Sequence, residues 1–144
     1  MLIGEYTHTL DEKKRVSLPS KFRKEIGKRV VATRGLDNCL FLYEWNEWQK
    51  IAVKVSDLGM GQADKRSFNR FLLSSAQELD IDNVGRFLIP EHLKDFANLK
   101  SKIVFAGVGN RVEIWDEENW MKYKKEVEKQ ADVLAERLGQ IGAL

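Results

Sequence analysis

Cysteine and proline are nearly missing from this chain: one Cys, at position 39, and two Pro, at 19 and 90, in 144 residues. A lone thiol cannot close an internal disulfide, which fits a reducing compartment. Long hydrophobic runs are missing too, the purely apolar stretches falling far short of the ~20 residues needed to span a bilayer. Residues 1–10, MLIGEYTHTL, show neither a basic leader nor an apolar segment behind it, so no signal peptide is expected. Excess charge of one sign is absent: 24 Lys+Arg face 22 Asp+Glu, a formal net charge of +2. A soluble, cytosolic protein is expected. What is present is enough apolar material for a core, 43% hydrophobic residues with seven Phe, four Trp and three Tyr. The 32% of charged residues are interleaved with these, unlike the composition of a disordered chain.

The small net charge hides its arrangement. Between Lys13 and Arg34 lie nine bases (Lys13, Lys14, Arg15, Lys21, Arg23, Lys24, Lys28, Arg29, Arg34) and one acid, Glu25, a local charge of +8. The other 122 residues therefore carry −6. Such clustering is the electrostatic footprint of a polyanion-binding surface. Long basic side chains solvating the exposed faces of a hairpin and a helix would give the same pattern.

The chain also repeats itself. Pro19 and Pro90 are 71 positions apart, and Asp11 with Asp82, Arg15 with Arg86 and Leu18 with Ile89 share that offset. After a one-residue slip, Leu40 matches Val112, Leu42 Ile114, Tyr43 Trp115, Glu44 Asp116 and Trp48 Trp120. Two copies of one small αβ unit explain this order. In copy one, Tyr6, His8 and Leu10 alternate with threonines as a strand, Asp11–Lys14 turns the chain, and Val16 and Leu18 return it. Pro19 suits the first position of a short helix, Ser20–Ile26, which Gly27 can end. Strands over Val30–Thr33 and Leu40–Tyr43 follow, then an amphipathic helix from Asn46 to Leu58. Copy two predicts a short helix over Glu91–Ala97, strands over Ile103–Ala106 and Arg111–Trp115, and a long helix from Glu117 through Leu138. Between the copies Ser67–Glu78 reads as another helix, and Gly107-Val108-Gly109 as a hairpin turn. The apolar stripe of the terminal helix faces either its own domain or another subunit.

The paired Asp-x-x-x-Arg turns, each followed by an apolar strand and Pro, resemble those of the MraZ family, bacterial transcription regulators with two SpoVT-AbrB-type (swapped-hairpin) units per chain. The resemblance covers nearly the whole length, including Asn69-Arg70-Phe71-Leu72-Leu73 and the Trp48 and Trp120 positions. In the family Gly usually precedes the Arg; Gly85 conforms and Lys14 departs from the pattern. The implied fold is α+β, two tandem swapped-hairpin β units with helices forming an internal pseudo-dimer. Its expected divisions are 5–47 and 76–119 for the repeats, 48–75 for linking helices and 120–144 for a C-terminal helix. The resemblance further implies a homo-oligomeric, octamer-like ring, nucleoid-associated, that binds repeated boxes of double-stranded DNA. The family's usual target is the promoter of the division and cell-wall gene cluster, the regulator's own gene included.

Residue chemistry adds to this. Asp11 and Asp82 can accept backbone N–H bonds across their turns, and Gly85 can take a positive φ cheaply. Lys14 in that conformation costs about 1 kcal/mol, so the first turn either differs in shape or tolerates strain to place a base. Arg15 and Arg86 emerge at the root of the returning strands, where a guanidinium can bridge phosphate oxygens or read a guanine edge. Each can equally pair with its own Asp. Lys13, Lys14, Arg15, Lys21, Arg23, Lys24 and Arg86 are the expected DNA contacts, with Asp11, Asp82 and Gly85 organising the turns. In copy two Asn83, Val84 and Gly85 replace Glu12, Lys13 and Lys14, so its turn is expected to be the weaker, architectural partner.

No catalytic, metal or cofactor residue is expected. Neither His8 nor His92 recurs in the other copy, Cys39 reads as a core residue, and no nucleophile has a base at recognisable spacing. Neither Gly59-Met60-Gly61 nor Gly107-Val108-Gly109 is a dinucleotide fingerprint or a P-loop. No small-molecule substrate is evident. An oligomeric interaction protein docking through its terminal helix, or a small RNA-binding protein, are the alternatives to a DNA-binding regulator.

Overall fold

A computed structural model describes all residues 1–144. Copy one runs β1 (Leu2–Thr9), β2 (Arg15–Ser17), α1 (Ser20–Ile26), β3 (Arg29–Arg34), β4 (Leu40–Glu44) and α2 (Trp45–Ser56). After α3 (Ala63–Leu73), copy two repeats the order with β5 (Gln77–Asp80), β6 (Arg86–Leu88), α4 (Glu91–Phe96), β7 (Lys102–Gly109), β8 (Val112–Asp116) and α5 (Glu117–Gln140).

The strands do not pair within their own copy alone. One antiparallel sheet has the order β1-β7-β8-β4-β3-β5, so the first strand of each copy lies against the long hairpin of the other. A separate two-stranded ribbon joins β2 to β6. The central β4–β8 pair places Leu40 opposite Ile114, Phe41 opposite Glu113 and Leu42 opposite Val112. Since Leu40 corresponds to Val112 and Leu42 to Ile114, the pairing is self-complementary, as an isologous two-fold interface requires. The molecule is a pseudo-dimer inside one chain, with exchanged hairpins.

Both sheet faces are covered, which is why the central strands read as unbroken apolar runs. On one face Val30, Ala32, Leu40, Leu42, Ile103, Phe105, Val112 and Ile114 pack against Val16 and Phe87 of the ribbon and Phe22 and Leu93 of the short helices. On the other, Val31, Phe41, Tyr43, Val104 and Trp115 pack against Trp48, Val55 and Leu72 of α2 and α3. Equivalent ring pairs recur in the two copies, Tyr43 with Trp48 at 5.8 Å between centroids and Trp115 with Trp120 at 5.3 Å.

Two local expectations are corrected. The helix predicted over Ser67–Glu78 occupies Ala63–Leu73, and Gln77–Asp80 is a strand on the edge of β3. Its end is set by residues distant in sequence: Thr33 Oγ1 donates to the Leu72 carbonyl at 2.6 Å, and the Arg34 guanidinium donates to Phe71 O at 2.6 and 3.0 Å. Those partners take up the last carbonyls of α3 and release the following backbone to the sheet. Residues 107–109 are not the turn but the end of β7, kept in register by Leu2–Gly4. Gly107 is needed there, because a Cβ would meet the Leu2–Ile3 backbone at 2.7 Å. For α5, where the sequence leaves two alternatives open, only the start of the helix packs on its own domain. It is tied at its start by Trp120 and Tyr123 on Trp115 and by Lys124 Nζ to Glu5 at 2.6 Å, and none of its 24 residues is buried.

Candidate nucleic-acid interface

The ribbon carries the two turns at opposite ends. Each turn is built alike. In the first, Asp11 Oδ1 accepts the N–H groups of Lys13 (2.8 Å) and Arg15 (2.9 Å), while Asp11 N–H donates to Arg15 O and Lys14 N–H to Asp11 O. In the second, Asp82 Oδ1 accepts from Val84 (3.0 Å) and Arg86 (2.9 Å), with the same backbone closure. The Arg15 N–H does most to hold the Asp11 carboxyl below its ordinary range; partial desolvation opposes it, and the Lys13 N–H and Arg15 guanidinium add to it. The Arg86 N–H plays the same part for Asp82.

Lys14 has φ +62° and Gly85 φ +84°, so the first turn keeps the shape of the second and carries the strain of a side chain at positive φ. That shape aims the Lys14 carbonyl at Ile89 N–H (2.9 Å) and the Gly85 carbonyl at Leu18 N–H (2.8 Å), each turn thus bonded to the opposite copy.

Arg15 stands opposite Leu88, and Ser17 opposite Arg86, with Val16 and Phe87 between them. Because side chains alternate, Val16 and Phe87 point into the core and are each 2% exposed, while Arg15, Ser17, Arg86 and Leu88 share the outer face. Pleat geometry sets the two arginines diagonally at roughly 7–8 Å between Cα atoms. That is about two base-pair steps of B-DNA. Each guanidinium is also paired with its turn aspartate, Arg15 Nε–Asp11 Oδ2 at 3.5 Å and Arg86 Nε–Asp82 Oδ2 at 3.2 Å. Of the two, only Arg86 Nε makes a hydrogen bond to its aspartate; Arg15 Nε is buried and has the ion pair alone.

The other expected contacts are dispersed. Lys13 is exposed at the first tip, and Lys14 reaches across to an ion pair with Glu91 at the start of α4. Lys21 and Lys24 line a shallow cleft with Met1, Ile3 and Glu25, and no hydrogen bond or ion pair ties them to either turn. Arg23 links the copies: Nε donates to Leu18 O of its own copy at 2.8 Å and Nη1 reaches Val84 O, 3.4 Å away, in the second turn. Lys28 follows it, with Nζ 3.5 Å from Asn83 Oδ1. In return Lys94 and Lys100 of copy two line a cleft with Asp11, Glu12 and Lys14.

Sequence reasoning missed Lys94, Lys100 and the apolar Val84 and Leu88, which are 60% and 52% exposed beside the arginines. The 71-residue offset pointed to Lys94, the counterpart of Arg23; nothing in the sequence pointed to the rest.

No group of His, Cys, Asp or Glu side chains is placed to hold a metal ion. His92 Nε2 sits 3.1 Å from Ser75 O and His8 packs edge-on to Phe105. Cys39 is fully buried and burial pushes its thiol far up, so it is not a nucleophile.

Two consecutive stretches, residues 1–71 and 72–140, match the family described as "MraZ protein, putative antitoxin-like". This chain belongs to the MraZ family. Relatives named "Transcriptional regulator MraZ" come from Syntrophomonas wolfei subsp. wolfei, 47% identical over 142 residues and 99% of both chains. Others of that name are found in Caldanaerobacter subterraneus subsp. tengcongensis and in Natranaerobius thermophilus, each 46% identical over 138 residues and 96% of both chains. The family match divides the chain at the end of α3, so each MraZ unit holds one turn and one ribbon strand, and the ribbon exists only where the two units meet. The names are those of regulators, not enzymes.

Proposed function

We propose that this chain, like the relatives that bear the name, is a non-enzymatic regulator of transcription that binds double-stranded DNA through the β2–β6 ribbon. The observation that carries the reading is the pair Arg15 and Arg86 on one outer ribbon face, each braced by the aspartate of a rigid turn. A two-stranded ribbon fits the major groove of B-DNA, where an arginine can bridge O6 and N7 of guanine or hold a phosphate. The deep, narrow major groove of A-form RNA excludes such an element, which favours DNA over RNA. Asp11 and Asp82 orient the guanidinium groups before DNA arrives, so less side-chain freedom is lost on binding.

One ribbon neutralises few phosphates, so a single copy binds weakly and loses what affinity it has as salt rises. A homo-oligomeric, octamer-like ring presenting several ribbons to repeated boxes raises affinity through effective concentration, and box spacing joins base contacts in setting specificity. The target in this reading is the promoter of the division and cell-wall cluster, including the protein's own gene, with the protein at the nucleoid. Apolar side chains left exposed on α5, Val133 and Leu138 among them, support the assembly. Gel-shift titration on the chain's own upstream DNA is the test. Arg15→Ala and Arg86→Ala each weaken binding and leave the fold intact; a double variant that binds as the wild type does overturns the reading.

A further inference from the structure

Each turn is completed by the opposite copy, and the second depends on one side chain. Arg23 projects from α1 of copy one to the second turn, where its guanidinium joins the Leu18 carbonyl, at the end of β2, to the Val84 carbonyl at the tip. It lies against Gly85, which is itself buried; a Cβ added to Gly85 would overlap the guanidinium. The φ of +84° is what favours glycine at position 85, and the guanidinium fills the space that the missing side chain leaves. The first turn shows the converse arrangement. There the tip residue has a side chain, Lys14, pinned by Glu91, and the counterpart of Arg23 is Lys94, which bonds to no turn carbonyl.

We propose that Arg23 is the positioning residue of the second turn: it holds Val84–Arg86 in shape so that Arg86 faces DNA, and it is not itself a phosphate contact. Resting on the ribbon's DNA-facing role, this extends that reading to a residue of the other copy. The basic window read along the chain thus serves two turns. A guanidinium can span two carbonyls with fixed, divergent N–H groups, whereas a single ammonium on a flexible stem cannot hold both in one geometry.

Hydrogen–deuterium exchange on the free full-length protein, with Arg23→Ala and Arg23→Lys, is the decisive measurement. Both variants are expected to speed exchange at Val84 and Arg86 about tenfold, with Lys13 and Arg15 in the first turn unmoved. A companion titration uses a duplex of the chain's own upstream DNA at several salt concentrations. Affinity is expected to fall several-fold while the slope of log affinity against log salt stays at the wild-type value, since a phosphate contact would lower that slope by about one. Unchanged exchange at Val84 and Arg86, or a shallower slope with rescue by Arg23→Lys, overturns the proposal. Should the wild type fail to bind the duplex, the DNA reading falls, and the exchange comparison alone still decides what Arg23 holds.

Discussion

Lys14 is the place where the two turns put different residues at positive φ while keeping one shape. At φ +62° it carries strain that Gly85 avoids, and its ammonium is held by Glu91 on the other copy. Lys14→Gly is expected to raise stability by about 0.5 kcal/mol, strain relief slightly exceeding the lost exposed ion pair and the added freedom of the unfolded chain. Thermal melting checks the sign. Asp11 and Asp82 act through their carboxylates, whose folded values are depressed by the Arg15 and Arg86 N–H groups. A depressed carboxylate contributes stability above its unfolded value, about 3.9, and loses that contribution as pH falls through its lower folded value. Amide protection at Lys13, Arg15, Val84 and Arg86 should therefore persist through neutral pH and vanish only in strong acid. Asp82→Asn should remove that acid step at Val84 and Arg86 alone, as an NMR pH titration would show.

The ribbon couples the turns because its inner face is a single packed layer. Phe87 is 2% exposed and packs edge-on to Phe105 of β7, 6.3 Å between centroids. Phe87→Ala should cost about 3–5 kcal/mol by chemical denaturation, and DNA binding should fall for both turns together. The outer elements behave differently. Since no residue of α5 is buried, truncation before Asp132 should leave the melting temperature nearly unchanged. Size-exclusion chromatography of that truncation tests assembly: a smaller particle than the full chain places the helix between subunits, and an unchanged one removes it from assembly.

For the whole molecule, the exchange of strands makes the halves interdependent. β1 finds its partner in β7, β5 in β3 and β2 in β6, each across the junction between residues 71 and 72. Fragments 1–71 and 72–144 expressed separately should not give folded monomers, and mixing them should restore the circular dichroism of the intact chain in a 1:1 complex. Near-zero net charge hides the same exchange. The +8 window is continuous in sequence, yet in space Arg23 and Lys28 stand at the second turn while Lys94 and Lys100 stand at the first. Each turn thus has cations of the other copy beside it, and the first also keeps Lys13, Lys14 and Arg15 of its own.

Local patterns were legible because local forces make them. Pro19 and Pro90 start their helices, Asp11 and Asp82 close their turns through bonds to residues two and four ahead, and the apolar runs of β3, β4, β7 and β8 mark strands buried on both faces. The repeat supplied the two-copy organisation and the pairing of Arg15 with Arg86. Partners distant in sequence decided the rest. The end of α3 depends on Thr33 and Arg34, the length of β7 on the backbone of Leu2–Gly4, and the surroundings of each turn on side chains from the other copy. Short-range hydrogen bonds and side-chain periodicity act within a few residues, so the chain's order determines them. Which copy completes which turn depends on strand pairing across about 70 residues, and only the folded sheet decides that.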